Sequence, residues 1–302
     1  LALSTPFVQA SGTVSGAGSI DLLASGNAWQ AGTWTGGGSI NVLNGADLNV
    51  SGSQAKYWNG RTLNINTGAT ASLSGYQAVS YLSDINTINN DGIIDLFSDT
   101  GTNALYSNDT NYPLTFNNNA NGVINKTGDG TYVLGDTNAS GLTFTNAGAL
   151  NVNTGALTLS GTGVDNGTLA IASGSTLDLV GGSRTMDASN LSGTGDLTIT
   201  NSQFTLNGPT GSTTTLDPKI TLNSGGTLST SGSLALSAPF VQANGTLGGA
   251  GSIDLLVSGN IWQDGSWTGG GSINVLNGAD FNVSGSQIKY WNGRTLNINT
   301  GA

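Results

Sequence analysis

The sequence predicts an all-β fold, a right-handed parallel β-helix (β-solenoid) in which short strands stack coil upon coil. Three observations predict it. The composition favours turns over helices, apolar and polar residues alternate in short runs, and equivalent strands return about every 20 residues. Each observation is justified in turn below.

The composition is that of a chain rich in turns. Glycine occupies 48 of the 302 positions, and all 17 acidic residues are Asp, because Glu is absent along with His and Cys. Ser, Thr, Asn, Asp and Gly favour turns and caps over helix interiors. Hydrophobic residues still make up 36% of the chain, so it has enough apolar surface to fold around a core.

Strands are predicted where apolar and polar residues alternate, as in 149–161, 167–182 and 195–208. Equivalent apolar positions lie 19 or 20 residues apart, which is too short for the blade of a propeller, at roughly 40 to 50 residues. We expect these positions to stack as inward columns, with Asn, Ser and Thr forming hydrogen-bonded ladders at the bends. The predicted column residues are Leu150, Leu157, Leu169, Leu177 and Leu197.

The domain organisation is set by a long repeat. Residues 1–69 and 234–302 align without a gap and differ at ten positions, which defines a unit of 233 residues. We interpret 1–233 as one complete tandem repeat and 234–302 as the start of the next, continuing the same solenoid. The expected partners are therefore neighbouring repeats of the same protein, placed end to end.

The region near 76–121 departs from this rhythm because glycine becomes scarce while aromatic residues and Asp gather. We expect it to be irregular and rich in loops. Exposed aromatic rings would offer a sugar-stacking surface, whereas buried rings would only fill wide coils. The candidate ligand-binding residues are Trp34, Tyr81, Tyr106 and Tyr112. The candidate metal ligands, for calcium, are Asp91, Asp95 and Asp99, with turn capping as the alternative role.

Several kinds of chemistry are excluded by composition. Without His or Cys the chain has no imidazole base, thiol nucleophile or common transition-metal cluster. Paired Asp residues, with Arg61 or Arg184 to bind a uronate, leave polysaccharide cleavage open as an alternative. We expect no enzyme and no cofactor, with calcium left open. A net charge of −10 disfavours nucleic acid, and no apolar run reaches the ~18 residues of a transmembrane helix.

Part of the chain resembles known exoproteins. The segment GVINKTGDGTYVLGDTNASG, residues 122–141, resembles the autotransporter-associated β-helix repeat, although Tyr132 stands where Leu is common. The segments NAGALNVNTGALTLSG and NGTLAIASGSTLDL look like coils of filamentous-haemagglutinin-type exoproteins. The resemblance covers about 122–236. It implies a parallel β-helix exported by Gram-negative bacteria and displayed outside the cell.

Two functional hypotheses follow. The first is a structural segment of a secreted or cell-surface fibre that serves adhesion, aggregation or biofilm scaffolding through a rigid rod. Its partners would be adjacent repeats, and also surface glycans or other fibres. The alternative is a glycan-binding or polysaccharide-cleaving β-helix domain that uses the aromatic and Asp-rich region 76–121 as its site.

Overall fold

The computed structural model is all-β, and its parallel strands stack as a right-handed β-solenoid, which confirms the predicted fold class. The structure describes residues 1–75, 85–107, 113–135 and 141–302, together with the backbone of 77–79. In the described part of the chain no helix is long and apolar enough to cross a bilayer. The chain divides into two compact units, Leu1–Thr168 and Leu169–Ala302.

The first unit consists of strands of two to six residues joined by short turns. They are β1 (Ala2–Leu3), β2 (Val8–Gln9), β3 (Thr13–Val14), β4 (Ile20–Leu22), β5 (Asn27–Trp29), β6 (Gly32–Thr35), β7 (Ser39–Val42), β8 (Asp47–Val50), β9 (Lys56–Asn59), β10 (Thr62–Ile65), β11 (Thr70–Leu73), β12 (Gln77–Val79), β13 (Asn86–Asn90), β14 (Ile93–Phe97), β15 (Thr102–Ser107), β16 (Leu114–Asn118), β17 (Val123–Thr127), β18 (Thr131–Leu134), β19 (Leu142–Asn146), β20 (Ala149–Val152), β21 (Ala156–Ser160) and β22 (Gly163–Asp165).

In this unit strands pair in parallel with the strand three places later, except at β9, so one coil contributes three strands. The first sheet runs β1-β4-β7-β10-β13-β16-β19-β22 and the second runs β2-β5-β8-β11-β14-β17-β20. The third side of the coil is formed by β3-β6-β9 and by β12-β15-β18-β21. Because every third strand adds to the same sheet, residues one coil apart stand directly over one another.

The second unit repeats this arrangement. Its strands are β23 (Thr168–Ile171), β24 (Thr176–Val180), β25 (Ser183–Asp187), β26 (Leu191–Ser192), β27 (Asp196–Thr200), β28 (Gln203–Asn207), β29 (Thr213–Leu216), β30 (Lys219–Leu222), β31 (Thr227–Ser231), β32 (Ser233–Leu236), β33 (Phe240–Gln242), β34 (Thr246–Gly249), β35 (Ser252–Leu255), β36 (Asn260–Trp262), β37 (Gly265–Trp267), β38 (Ser272–Val275), β39 (Phe281–Val283), β40 (Lys289–Trp291) and β41 (Thr295–Ile298).

Three series of parallel strands again form the coil in the second unit. They run β25-β28-β31-β34-β37-β40, β24-β27-β30-β33-β36-β39 and β29-β32-β35-β38-β41, with β23-β26 as a further pair. A short 3₁₀-helix, Ala188–Asn190, stands between β25 and β26 and is capped by the Asp187 side chain. It is a local exception in an otherwise regular series.

Apolar columns fill the interior, as the alternation predicts. In the first unit Ile40, Leu63, Ile88, Phe116 and Phe144 follow one another in register, and all are at most 1% exposed. The five predicted column leucines are all buried: Leu150, Leu157, Leu169, Leu177 and Leu197. Leu177 stands directly under Leu197. Their inward orientation is therefore confirmed.

The coils differ in length along the chain. Ile20 pairs in register with Ile40, a step of 20 residues, whereas Ile88 pairs with Phe116, a step of 28. The longer steps fall in and just after the region 76–121, where the sequence predicts a change. The described residues there form regular strands, β13 to β16, of five or six residues, whereas β4 to β6 have three or four. Both the strands and the connections are therefore longer in these coils.

Candidate functional site

Three tryptophans of the first unit form one buried cluster. The rings of Trp29 and Trp34 stack with centroids 3.8 Å apart and planes 10° apart, and Trp58 meets both edge-on. Trp34 is fully buried, and its Nε1 donates to Oε1 of Gln9 over 2.6 Å. The prediction that Trp34 binds a ligand is wrong, because one face of its ring is covered by Trp29 and its N–H already has a partner.

Trp34 was predicted to be exposed because the turn between Trp29 and Trp34 was not recognised. Trp29 and Trp34 have opposite parity in the sequence, which would place one of them outside on a single regular strand. Trp29 instead ends β5 and Trp34 lies in β6, so the chain turns between them. The turn restarts the alternation, and both indoles point inward.

Buried cations hold the turns around this cluster. Arg61 is 1% exposed and donates to four carbonyl oxygens: from Nε to Thr35 over 3.0 Å, from Nη2 to Gly16 over 2.6 Å, and from Nη1 to Gly18 and Ser39 over 3.4 and 3.5 Å. Burial lowers the pKa of Arg61, and it lowers the pKa of Lys56 to about 8. Arg184 is also buried. Neither arginine is therefore available to bind a uronate at the surface.

The three candidate metal ligands do not converge. Asp91 accepts a hydrogen bond from Asn119 over 2.8 Å, and Asp95 accepts one from Asn125 over 3.3 Å. Asp95 lies in β14, whereas Asp99 lies in a bend beyond the end of that strand at Phe97. Among the described residues no group of three or more acidic side chains could hold a metal ion. The predicted grouping of Asp91, Asp95 and Asp99 around one calcium ion is wrong.

Of the candidate tyrosines, Tyr106 lies half-buried on β15. Tyr81 and Tyr112 lie outside the described residues. Of the predicted aromatic surface, Trp34 therefore belongs to the core. For Tyr81, Tyr106 and Tyr112, ligand binding stays a prediction.

An open groove lies on the outer side of the first unit, with a volume of 390 Å³. Its strands are β5, β8, β11 and β14, and Asn49, Ser72 and Asp95 stand in register along it. Asp47 lines it as well and uses Oδ1 to accept the backbone N–H of Gly26 over 2.7 Å. The groove therefore presents carboxylate, amide and hydroxyl groups on a rigid sheet.

Sequence reasoning identified Asp95 but missed the rest of this groove. The available signal was a spacing of 23 residues, which separates Asn49 from Ser72 and Ser72 from Asp95. That spacing differs from the 20-residue step used to recognise the coils, so the column was not recognised. Asp95 was instead grouped with acidic residues close to it in sequence.

The fold defines the class of protein as a parallel β-solenoid. No family model, curated protein or solved structure matches the chain.

Proposed function

We propose that this protein is a structural segment of a repetitive fibre, secreted or displayed on the bacterial cell surface, that serves adhesion, aggregation or biofilm scaffolding. The observation that carries the proposal is that the long sequence repeat is also a repeat of structure. Residues 1–69 and 234–302 form corresponding strands and share the main contacts of their tryptophan and arginine side chains. The extracellular location rests on the resemblance of 122–236 to exported β-helix proteins.

The repeated contacts are specific. In the second unit Trp262 stacks on Trp267 with centroids 4.1 Å apart, and Nε1 of Trp267 donates to Gln242 over 2.7 Å. Arg294 donates to the carbonyl oxygens of Gly249 and Gly251 over 3.1 and 3.2 Å, as Arg61 does to Gly16 and Gly18. Ten substitutions have left this arrangement in place, which favours a structural role for the repeated unit.

The edge of the second copy offers a surface suited to stacking. Trp58 and Ile65 are 3% and 0% exposed, and the next strand of the sheet, β13, pairs with β10 beside them. The equivalent Trp291 and Ile298 are 52% and 59% exposed. Burying such apolar surface stabilises by about 25 cal/mol per Å². A following coil is the natural partner for this edge, so end-to-end stacking of repeats needs no linker.

Measuring the length of arrays tests the proposal. Chains of one, two and three 233-residue units should gain about 50 Å in maximum dimension per added unit, because some ten coils advance ~4.8 Å each. Small-angle X-ray scattering gives this increment. In a matched array a 20-residue Gly/Ser linker between units interrupts the stack, and its particles should be flexible with variable length. Equal scattering from both arrays would contradict a continuous fibre.

A further inference from the structure

We propose that the groove over β5, β8, β11 and β14 is a binding site for an uncharged carbohydrate. This site is separate from the stacking edges on which the fibre depends. Its volume of 390 Å³ falls within the roughly 300 to 1,000 Å³ of small-molecule sites. The groove exists because several of the outward side chains that line it are small, namely Ala28, Thr70 and Ser72.

The polar groups of the groove match sugar hydroxyls. Asp47 and Asp95 supply carboxylate acceptors, Asn49 supplies an amide that both donates and accepts, and Ser72 supplies a hydroxyl. One oxygen of each carboxylate is fixed, by the N–H of Gly26 and by the amide of Asn125. These bonds orient the carboxylates before a ligand arrives, which reduces the entropic cost of binding.

An apolar ledge borders the polar groups. The outward residues of β14 are Ile93, Asp95 and Phe97, and the side chains of Ile93 and Phe97 are 40% and 38% exposed. Each stands two residues from Asp95, about 7 Å along the strand. A pyranose ring has an apolar C–H face and a rim of hydroxyls, so this pairing of apolar ledge and carboxylate suits it.

The charge of the groove selects among carbohydrates. Its lining contains two Asp residues and no Lys or Arg, so a uronate would be repelled by like charge.

The second copy supplies a natural comparison. Four groove residues recur there unchanged, but Ile261 replaces Ala28 and Phe281 replaces Leu48. Ile261 pairs with Asn282 in the same register in which Ala28 pairs with Asn49. The larger side chain therefore stands at the position that forms the β5 end of the groove in the first copy. We expect the choice between Ala and Ile at this position to decide which repeats bind.

The experiment uses the whole 302-residue chain on an array of immobilised uncharged hexose and N-acetylhexosamine oligosaccharides, with oligogalacturonates alongside. The expected result is binding to at least one uncharged glycan and none to the uronates. Ala28→Ile and Asp95→Asn should each weaken that binding at least tenfold. Ala28→Ile introduces the residue that the second copy already carries, so it should leave the melting temperature unchanged.

The matched control is Ala149→Ile, which adds the same bulk on β20 outside the groove and should bind as the parent does. Three results would overturn the proposal: no binding to any uncharged glycan, a preference for the uronates, or equal binding by the Ala28→Ile variant. The array measurement of fibre length does not depend on any of them.

Discussion

At the scale of single residues, asparagine side chains link one coil to the next outside the apolar core. Its side-chain amide has both a donor and an acceptor, so identical residues one coil apart can satisfy each other. On the outer side of the first unit such a ladder begins at Asp21 and continues through Asn41, Asn64, Asn89 and Asn117, with bonds of 2.6 to 2.9 Å. A carboxylate suits the first position because Asp21 only needs to accept a hydrogen bond, from Asn41.

A second ladder lies inside the coil. Nδ2 of Asn90 donates to Asn118 over 2.8 Å, and Nδ2 of Asn118 donates to Asn146 over 2.7 Å. Asn118 also donates to the carbonyl oxygen of Ala149 over 3.1 Å. All three asparagines are at most 1% exposed, so water cannot replace these bonds without opening the coil.

Replacing Asn118 with Leu should therefore be costly. The change removes a hydrogen-bond partner from the amide donor of Asn90, the amide acceptor of Asn146 and the carbonyl oxygen of Ala149, all in the interior. The total loss of stability should be roughly 2 to 4 kcal/mol. Urea unfolding measures the loss. Asn117→Leu is the matched control, because Asn117 ends the half-exposed outer ladder and makes one such bond, to Asn89; it should cost under about 1 kcal/mol. Equal losses would contradict the inner ladder.

The sequence predicted ladders of this kind but not their positions. Adjacent residues Asn89 and Asn90 belong to different ladders, one outside and one inside, and Asn117 and Asn118 repeat the pattern. Composition and alternation are equally compatible with either member facing the core. Only the register between coils decides, and that register depends on the lengths of the intervening turns.

At the scale of strands and turns, prediction succeeded wherever the coil length stayed constant. The steps from Ile253 to Ile273 and from Leu177 to Leu197 both appear as strand pairs in the structure. The 28-residue coils were not recognised as coils, because both their strands and their connections are longer than those of the 20-residue coils. The groove was missed for a related reason, since it is assembled from outward residues of strands that lie far apart in sequence.

Turns allow close stacking where the chain has glycine. A Cβ on Gly38 would lie 2.1 Å from the carbonyl oxygen of Gly18 in the coil below, whereas a Cβ on Gly18 would meet nothing within 4 Å. Gly38 is buried, and its carbonyl oxygen accepts the N–H of Thr62 from the coil above. The backbones of consecutive coils are in contact at this turn, so the spacing of coils there depends on the absence of a side chain.

Substituting alanine at these two glycines should give opposite results. Gly38→Ala forces two coils apart and should lower stability by roughly 1 to 3 kcal/mol, in the range of overpacked sites. Gly18→Ala should stay within about 0.5 kcal/mol of the parent, as surface substitutions usually do. Differential scanning calorimetry of the pair measures the contrast. If the Gly38→Ala variant has the same melting temperature as the parent, the turn can widen without cost and the close contact does not set the coil spacing.

At the scale of the whole molecule, the charge of the surface is more negative than the net charge of −10 indicates. Five of the seven basic residues are buried: Lys56, Arg61, Lys126, Arg184 and Arg294. Lys126, for instance, donates to the carbonyl oxygens of Thr127, Gly128 and Thr154. An acidic surface of this kind disfavours nucleic acid and anionic lipid.

The last prediction concerns what the edge of the second copy accepts. A chain in which residues 70–168 follow Ala302 places β11, β12 and β13 where they follow residue 69 in the first copy. Trp291 should then become as buried as Trp58, which is 3% exposed. The added residues contain no tryptophan, so acrylamide quenching reports on the six existing indoles. We expect the accessible fraction to fall and the melting temperature to rise, because apolar surface leaves water.

Two comparisons make this result specific. In a Trp291→Phe background the extension should leave quenching unchanged, because the remaining indoles are already at most 3% exposed. An extension with the same 99 residues in scrambled order should leave Trp291 open, since only the correct alternation and turn lengths set the register of the next coil. If the scrambled chain protects Trp291 equally well, the edge takes any apolar segment, and ordered stacking of repeats loses its physical basis.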